Sequence, residues 1–338
     1  MQGKMLVAAL VASLPLVASA QSSVTLYGVV DAGIAHEDTG APAGSRSVLN
    51  SGNQSTSRFG FKGQEDIGNG LKAVFNLEAG YNVDTGLGDS ALFGRRAVVG
   101  LEGSFGSVVL GREYSPVADV AAASDINGQG FYGSNLSSFA AGRLTRRLSN
   151  SVSYRSASAM GGFKLGAAYG FGEQASNLPS KDVMGVSIAY AVEGLYIGAA
   201  YHSVENVLTG KDKEYVFGAS YKISDFEIKG NYMVADPTGT NNKYEQANLG
   251  ASYTFGANKV FTNFQQNKLE SGAKGNLVSL AYSYTLSKRT NVYAAYATMR
   301  NNASGLFPIY SAGANITPPA GAAGADPTGF TVGVRHSF

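Results

Sequence analysis

The segment LKAVFNLEAGY, residues 71–81, alternates along its whole length: Leu71, Ala73, Phe75, Leu77, Ala79 and Tyr81 fall on one side, Lys72, Val74, Asn76, Glu78 and Gly80 on the other. Successive residues of an extended chain point to opposite faces, so this stretch reads as a strand with one apolar and one mostly polar face. The same alternation returns at 163–169, 215–223 and 278–286 and, more weakly, at 259–266 and 292–298. Over the whole chain it gives about sixteen segments of about 8–12 residues, as in a barrel that crosses a membrane with strands.

The links between segments alternate too. Tight connections at 68–70, 104–106, 161–162, 193–194, 224–225, 256–259 and 287–290 carry turn-forming residues. Between them fall longer links at 35–54, 84–92, 116–150, 173–181, 203–213, 235–243, 267–275 and 300–328. Short turns at one rim and long loops at the other is the outer-membrane barrel layout. Tyr and Phe gather toward segment ends, as at Phe226, Tyr232, Tyr253 and Phe255, where interfacial girdles would stand.

Composition agrees. The 338 residues include 44 Gly, 19 Tyr and 17 Phe, no Trp and no Cys, with 15% charged. A mean hydropathy of −0.04 is too polar for a helical membrane protein. The missing Cys removes disulfide frameworks and thiolate-held metals. His36, His202 and His336 lie far apart without metal-ligand spacing, so neither a metal nor a cofactor is expected.

Lys4, the apolar run 5–17 and Ala18-Ser19-Ala20 form a secretory signal peptide over residues 1–20, leaving 21–338 as one barrel domain. Losing Lys4 leaves 25 of the 26 basic residues against 24 acidic ones, a balance that gives no reason to bind nucleic acid. No later apolar run reaches the roughly 18 residues a helical span needs.

Four stretches carry a family likeness: SSVTLYGVVDAGI from Ser22, SRFGFKGQEDIGNGLKAVFNLEAG from Ser57, FGRRAVVGLEGSFGSVVLGREYSP from Phe93 and GFTVGVRHSF from Gly329. Together they resemble the general-diffusion porins of Gram-negative outer membranes, especially the betaproteobacterial group. The resemblance implies an all-β fold, a transmembrane antiparallel β-barrel of sixteen strands with an inward-folded third long loop. It also implies passive passage of ions and small hydrophilic solutes, assembly as a homotrimer among outer-membrane lipid and lipopolysaccharide, and delivery by periplasmic chaperones. The terminal Phe338 would be read by the barrel-assembly machinery.

The third long link, 116–150, is the longest stretch that is neither strand nor tight turn, and is read as a loop folded into the lumen. Ser115 and Pro116 are suited to cap and start a short helix over 117–123. Since the family's loop lies against the inner wall, Asp119 and Asp125, with Glu102 and Glu113, become the acidic side of a constriction. For the basic side, alternation turns Arg58 and Lys62 inward, because Phe59 and Phe61 occupy the other face, and sets Arg155 opposite Val152 and Tyr154. Parity with Val99 and Leu101 turns Arg96 inward and Arg95 outward, but a bulge at the rim would reverse them, and spacing leaves the pair open. Arg143, Arg146 and Arg147 sit where the family's loop returns to the wall. This basic excess predicts a weak to moderate anion preference.

Two other functional classes compete. A barrel enzyme needs a nucleophile or an acid–base set, which three scattered histidines supply poorly; His202-Ser203 reads as a polar pair at the rim. The G-x-G-x-x-G at 128–133 lacks the strand and helix a dinucleotide site requires. A plugged barrel acting as an adhesin or structural protein depends on how 116–150 folds. The last link, with Pro308, Pro318, Pro319 and Pro327, reads as flexible cover.

Overall fold

Strands can cross a bilayer only if every edge is paired, and this chain pairs all of them by closing on itself. The computed structural model describes residues 23–157, 161–173, 181–206, 210–239 and 242–338. The expected signal peptide lies outside the described residues, as do 174–180, 207–209 and 240–241 of the expected links.

The first half of the wall comprises β1 (Ser23–Asp38), β2 (Ser45–Ser51), β3 (Arg58–Gly68), β4 (Leu71–Gly80), β5 (Arg96–Gly103), β6 (Gly106–Tyr114), β7 (Arg147–Ser156), β8 (Phe163–Gly170) and β9 (Val183–Val192). The second half comprises β10 (Leu195–Asn206), β11 (Gly210–Ile223), β12 (Phe226–Asp236), β13 (Tyr244–Phe255), β14 (Asn258–Leu269), β15 (Lys274–Thr285) and β16 (Thr290–Asn301). A small hairpin, β17 (Ile309–Tyr310) with β18 (Asn315–Ile316), precedes the closing strand β19 (Thr328–Ser337). β2 and β3 are two halves of one stave, since β1 pairs with β2 through Ala32–Asp38 and with β3 through Ser23–Val29. The seventeen strands of the sheet therefore make sixteen staves. Closure comes from β1 pairing antiparallel with β19, Val29 opposite Ser337 through Asp38 opposite Thr328.

The outer face is apolar. Leu26, Ile34, Phe217, Leu249, Leu280 and Val334 all stand exposed on it. In water such a belt would drive aggregation, whereas against lipid tails it is the solvated surface. Aromatic rings thicken it near the short turns, where Phe163 meets Tyr190 at 5.0 Å and Tyr253 stacks on Phe255 at 5.8 Å.

The interior is divided. Along β10–β16, inward-facing Val216, Met233, Tyr244, Leu277, Tyr293 and Met299 are buried under Val117, Phe131, Tyr132 and Leu144 of the third loop and Phe307, Ile309 and Ile316 of the last. Wall amides fasten the same loop: Asn231 Nδ2 donates to the Ser124 carbonyl at 2.9 Å and Asn263 Nδ2 to the Gly133 carbonyl at 2.8 Å. Gly218 lets the loop reach the backbone of β11, where a Cβ would lie 2.3 Å from Ser124 Oγ. Along β1–β7 the inner face is polar and open.

Four expected links need correction. At 203–213 the strands run to Asn206 and resume at Gly210, with Ser203 paired opposite Lys213. Most of 35–54 is hairpin strand, leaving 39–44 as the first rim loop, because β1 and β2 keep pairing above the interruption at 52–57. At 267–275 the strands run to Leu269 and resume at Lys274. The last link is not a loose cover: the Gly133 N–H donates to the Tyr310 carbonyl at 2.9 Å, the Ala312 N–H to the Gly130 carbonyl at 2.8 Å, and Thr56 Oγ1 to the Ala312 carbonyl at 2.8 Å. Its buried Phe307, Ile309 and Ile316 supply the apolar contact that its Gly and Pro content conceals.

Candidate functional site: an arginine-lined space

The third loop begins with α1 (Pro116–Ala123), capped by Ser115, whose Oγ accepts the Ala118 N–H at 3.1 Å. α1 packs on β9–β11. From there it directs Asp119 toward the neighbouring stave β7, where the Arg155 guanidinium meets it at 2.9 Å. Between loop and wall lies a space of about 600 Å³, lined by Tyr27, Arg58, Glu78, Arg95, Arg96, Glu113 and Arg155 from the wall side. Ser55 and Thr56 of the broken stave and Asp119, Ala122, Gln129 and Arg146 of the loop complete it.

Charge pairing is graded around this space. Glu113 is nearly fully buried; it binds Arg96 through Nε at 2.9 Å and through Nη2, and lies 3.1 Å from Arg155. Glu78 takes Arg95 at 2.7 Å and the Tyr27 hydroxyl at 3.0 Å, with Arg58 farther off at 3.6 Å. Among the described residues, the hydrogen-bond partner of the Arg146 guanidinium is neutral Gln129, at 2.9 Å, and its Nε has none. Arg147 lies beside the space, with its guanidinium 4.5 Å from the centre of the Tyr114 ring and bonded to that hydroxyl at 2.7 Å. Five arginines and three carboxylates thus line one opening, an excess of two positive charges.

Burial, with Arg147 adding repulsion, pushes the Arg146 guanidinium down to about 10, still charged at neutral pH. Desolvation pushes the Asp119 carboxyl up from its ordinary value, and Arg155 pulls it partly back. The Asp119 side chain is 41% exposed on the side of that space, and its carboxylate is held by Arg155.

Several expected site residues lie elsewhere. Asp125 is fully buried and accepts the N–H groups of Asn127, Gln129 and Asn135, each at 3.0 Å; it shapes the loop's turn and does not face the pore. Arg143 stacks on Tyr244 at 4.4 Å and Phe307 at 5.9 Å, away from the cluster, because the loop's return crosses the apolar half of the lumen. Glu102 stands beside the Gly103–Gly106 turn and, with Lys62, lines a separate recess of about 420 Å³ rather than the arginine-lined space. Lys62 lies 5.5 Å from the centre of the Tyr27 ring. Arg95 and Arg96 both reach the lumen, since Arg95 precedes β5 and its parity does not apply. His202 is fully buried inside the barrel rather than at a rim. Phe338 lies on the outer face over Gly28, with the two backbones hydrogen-bonded. The 128–133 glycines form a turn that buries Phe131 and Tyr132.

Sequence reading missed Glu78, Tyr27, Tyr114 and Gln129. Alternation had already turned Glu78 inward; its pairing opposite Arg96 on β5 is what gives it a role.

This architecture and its inward loop match known proteins. A family model for Gram-negative porins matches residues 6–304. The chain belongs to the Gram-negative porin family. As such it is a passive channel of the outer membrane, and its relatives are channels rather than catalysts. This porin is 31% identical to outer membrane porin protein 32 of Delftia acidovorans over 99% of both chains. It is 30% identical to an outer membrane porin protein of Bordetella pertussis over 100% of both. Among solved structures it resembles an anion-selective porin from Comamonas acidovorans, with a TM-score of 0.80 and 29% identity over 94% of this chain and 100% of that one.

Proposed function

We propose that the opening between α1 and the arginine wall is this porin's constriction and that it favours anions. The observation that carries the reading is the excess of two positive charges around one space of about 600 Å³. Unit charges about 4 Å apart interact by about 1 kcal/mol in water and about 4 kcal/mol at an effective dielectric of 20. Protein walls therefore let a small excess bias passing ions without trapping them. Likeness to a porin described as anion-selective supports the same sign.

The working form is a homotrimer among outer-membrane lipid and lipopolysaccharide, produced by removal of residues 1–20 and assembly with Phe338 as the terminal signal for chaperones and barrel-assembly machinery. The loop-filled half of the lumen favours a second reading, a barrel plugged to the point of not conducting. Planar-bilayer recording of refolded protein under a KCl gradient separates them. Steps in groups of three with an anion-favouring reversal potential are expected; a folded trimer that passes no current would replace the channel reading with the plug.

A further inference from the structure

We infer that His202 and Glu214 form a single wall peg that holds both ends of the third loop and so positions the constriction; this rests on the reading of that loop as the pore's narrowing. The two residues face each other directly across β10 and β11. Both are buried inside the barrel, and neither lines the arginine space.

The hydrogen bonds run in one direction. The Val117 N–H donates to His202 Nε2 at 3.3 Å. A nitrogen that accepts carries a lone pair, so the ring proton is on Nδ1, which donates to Glu214 Oε2 at 2.8 Å. Glu214 then accepts the Thr145 N–H at 2.9 and 3.0 Å and the Thr145 hydroxyl at 2.7 Å. Val117 is in the first turn of α1, whose early N–H groups have no partner within the helix; Thr145 is on the loop's return. The loop also closes on itself below the peg, where Ser115 Oγ donates to the Thr145 carbonyl at 2.6 Å and the Ser115 N–H to the Arg146 carbonyl at 3.1 Å. One imidazole and one carboxylate thus fix where α1 starts and where the chain bearing Arg146 ends. Gly185 on β9 leaves room for the ring, since a Cβ there would lie 2.6 Å from His202 Cδ2.

Relaying one polarity through the ring separates this role from mere packing. Glu214→Gln keeps an oxygen for Thr145 but sets an amide N–H₂ against Nδ1–H. The ring must then move its proton to Nε2 and confront the Val117 N–H with another donor. Glu214→Ala removes both fastenings. In refolded trimers, Glu214→Gln should lose amide-exchange protection at Val117 but not at Thr145, by about tenfold, the scale of one hydrogen bond. Glu214→Ala should lose it at both and replace the single conductance level with noisy sublevels. Folded variants that keep wild-type protection and one quiet level would overturn the inference.

Should the variants fail to fold, unaltered Glu214 provides the test. In a chain carrying His36→Gln and His336→Gln, nitrogen NMR of the remaining ring should report the Nδ1–H tautomer, and an Nε2–H tautomer or an imidazolium at neutral pH would overturn the peg. None of these readouts depends on ion preference. A cation-favouring wild type would therefore refute the anion constriction and leave the peg standing.

Discussion

Staves β1–β7 and staves β10–β16 share the same apolar outer face, yet their inner faces do opposite work. The first set presents Arg58, Glu78, Arg96, Glu113 and Arg155 to an open space. The second buries Met233, Leu277 and Met299 completely beneath two folded-in loops. Alternation separates outside from inside in both; whether the inside is wet depends on what folds over it.

Charge inserted into the covered half should have the largest effect. Leu277→Arg places an uncompensated cation under the loops and should cost on the order of 3–5 kcal/mol, read as lost refolding yield and a lower unfolding temperature of the trimer. Ala122→Lys, on the exposed face of α1 toward the open space, should fold normally and strengthen anion preference. Equal tolerance of the two variants would erase the distinction between the halves.

That distinction was partly legible in the sequence. On the inner face of 71–81 stand Lys72, Asn76 and Glu78, residues that suit water, whereas the inner faces of 215–223 and 278–286 and their flanks carry Val216 and Leu277, which do not. Such apolar residues on the polar side are the trace of a docked loop. The barrel, the α1 start at Ser115-Pro116 and the lumenal Arg58 were readable because they rest on local pattern. The assignment of Asp125, Arg143 and Glu102 to the constriction was not sound, because side-chain direction within a loop and height along a stave are set by tertiary contacts that alternation does not encode.

A middle-sized effect should come from Asp119, the loop's one carboxylate in the opening. Asp119→Asn raises the excess there from two positive charges to three and releases Arg155 from its closest acid. Anion preference should rise roughly two-fold, equivalent to about 0.4 kcal/mol. Acid should do the same in the wild type. Because burial raises this carboxyl above its ordinary 3.8, its negative charge is lost earlier than an ordinary aspartate's as pH falls. Reversal potentials should therefore grow more anion-favouring on acidification, and Asp119→Asn should blunt that change.

The smallest effect belongs to Glu102→Gln, at the short-turn end of the wet half. Its carboxylate is exposed beside the short turn and away from the arginine-lined space, so solvent and salt screen it and the reversal potential should stay near the wild-type value. A change as large as that from Asp119→Asn would move the selectivity-setting region to the recess that Glu102 lines.

The central claim is that the excess of arginines over carboxylates in the open half sets ion preference, and Arg58→Gln combined with Arg146→Gln tests it most directly. Neither change strands a buried acid: Glu78 keeps Arg95, and the side-chain partner of Arg146 is the neutral Gln129. Reversal potentials of both trimers in a planar bilayer under a KCl gradient should be anion-favouring for the wild type and close to zero for the double variant. An undiminished anion preference in the folded double variant would contradict the account.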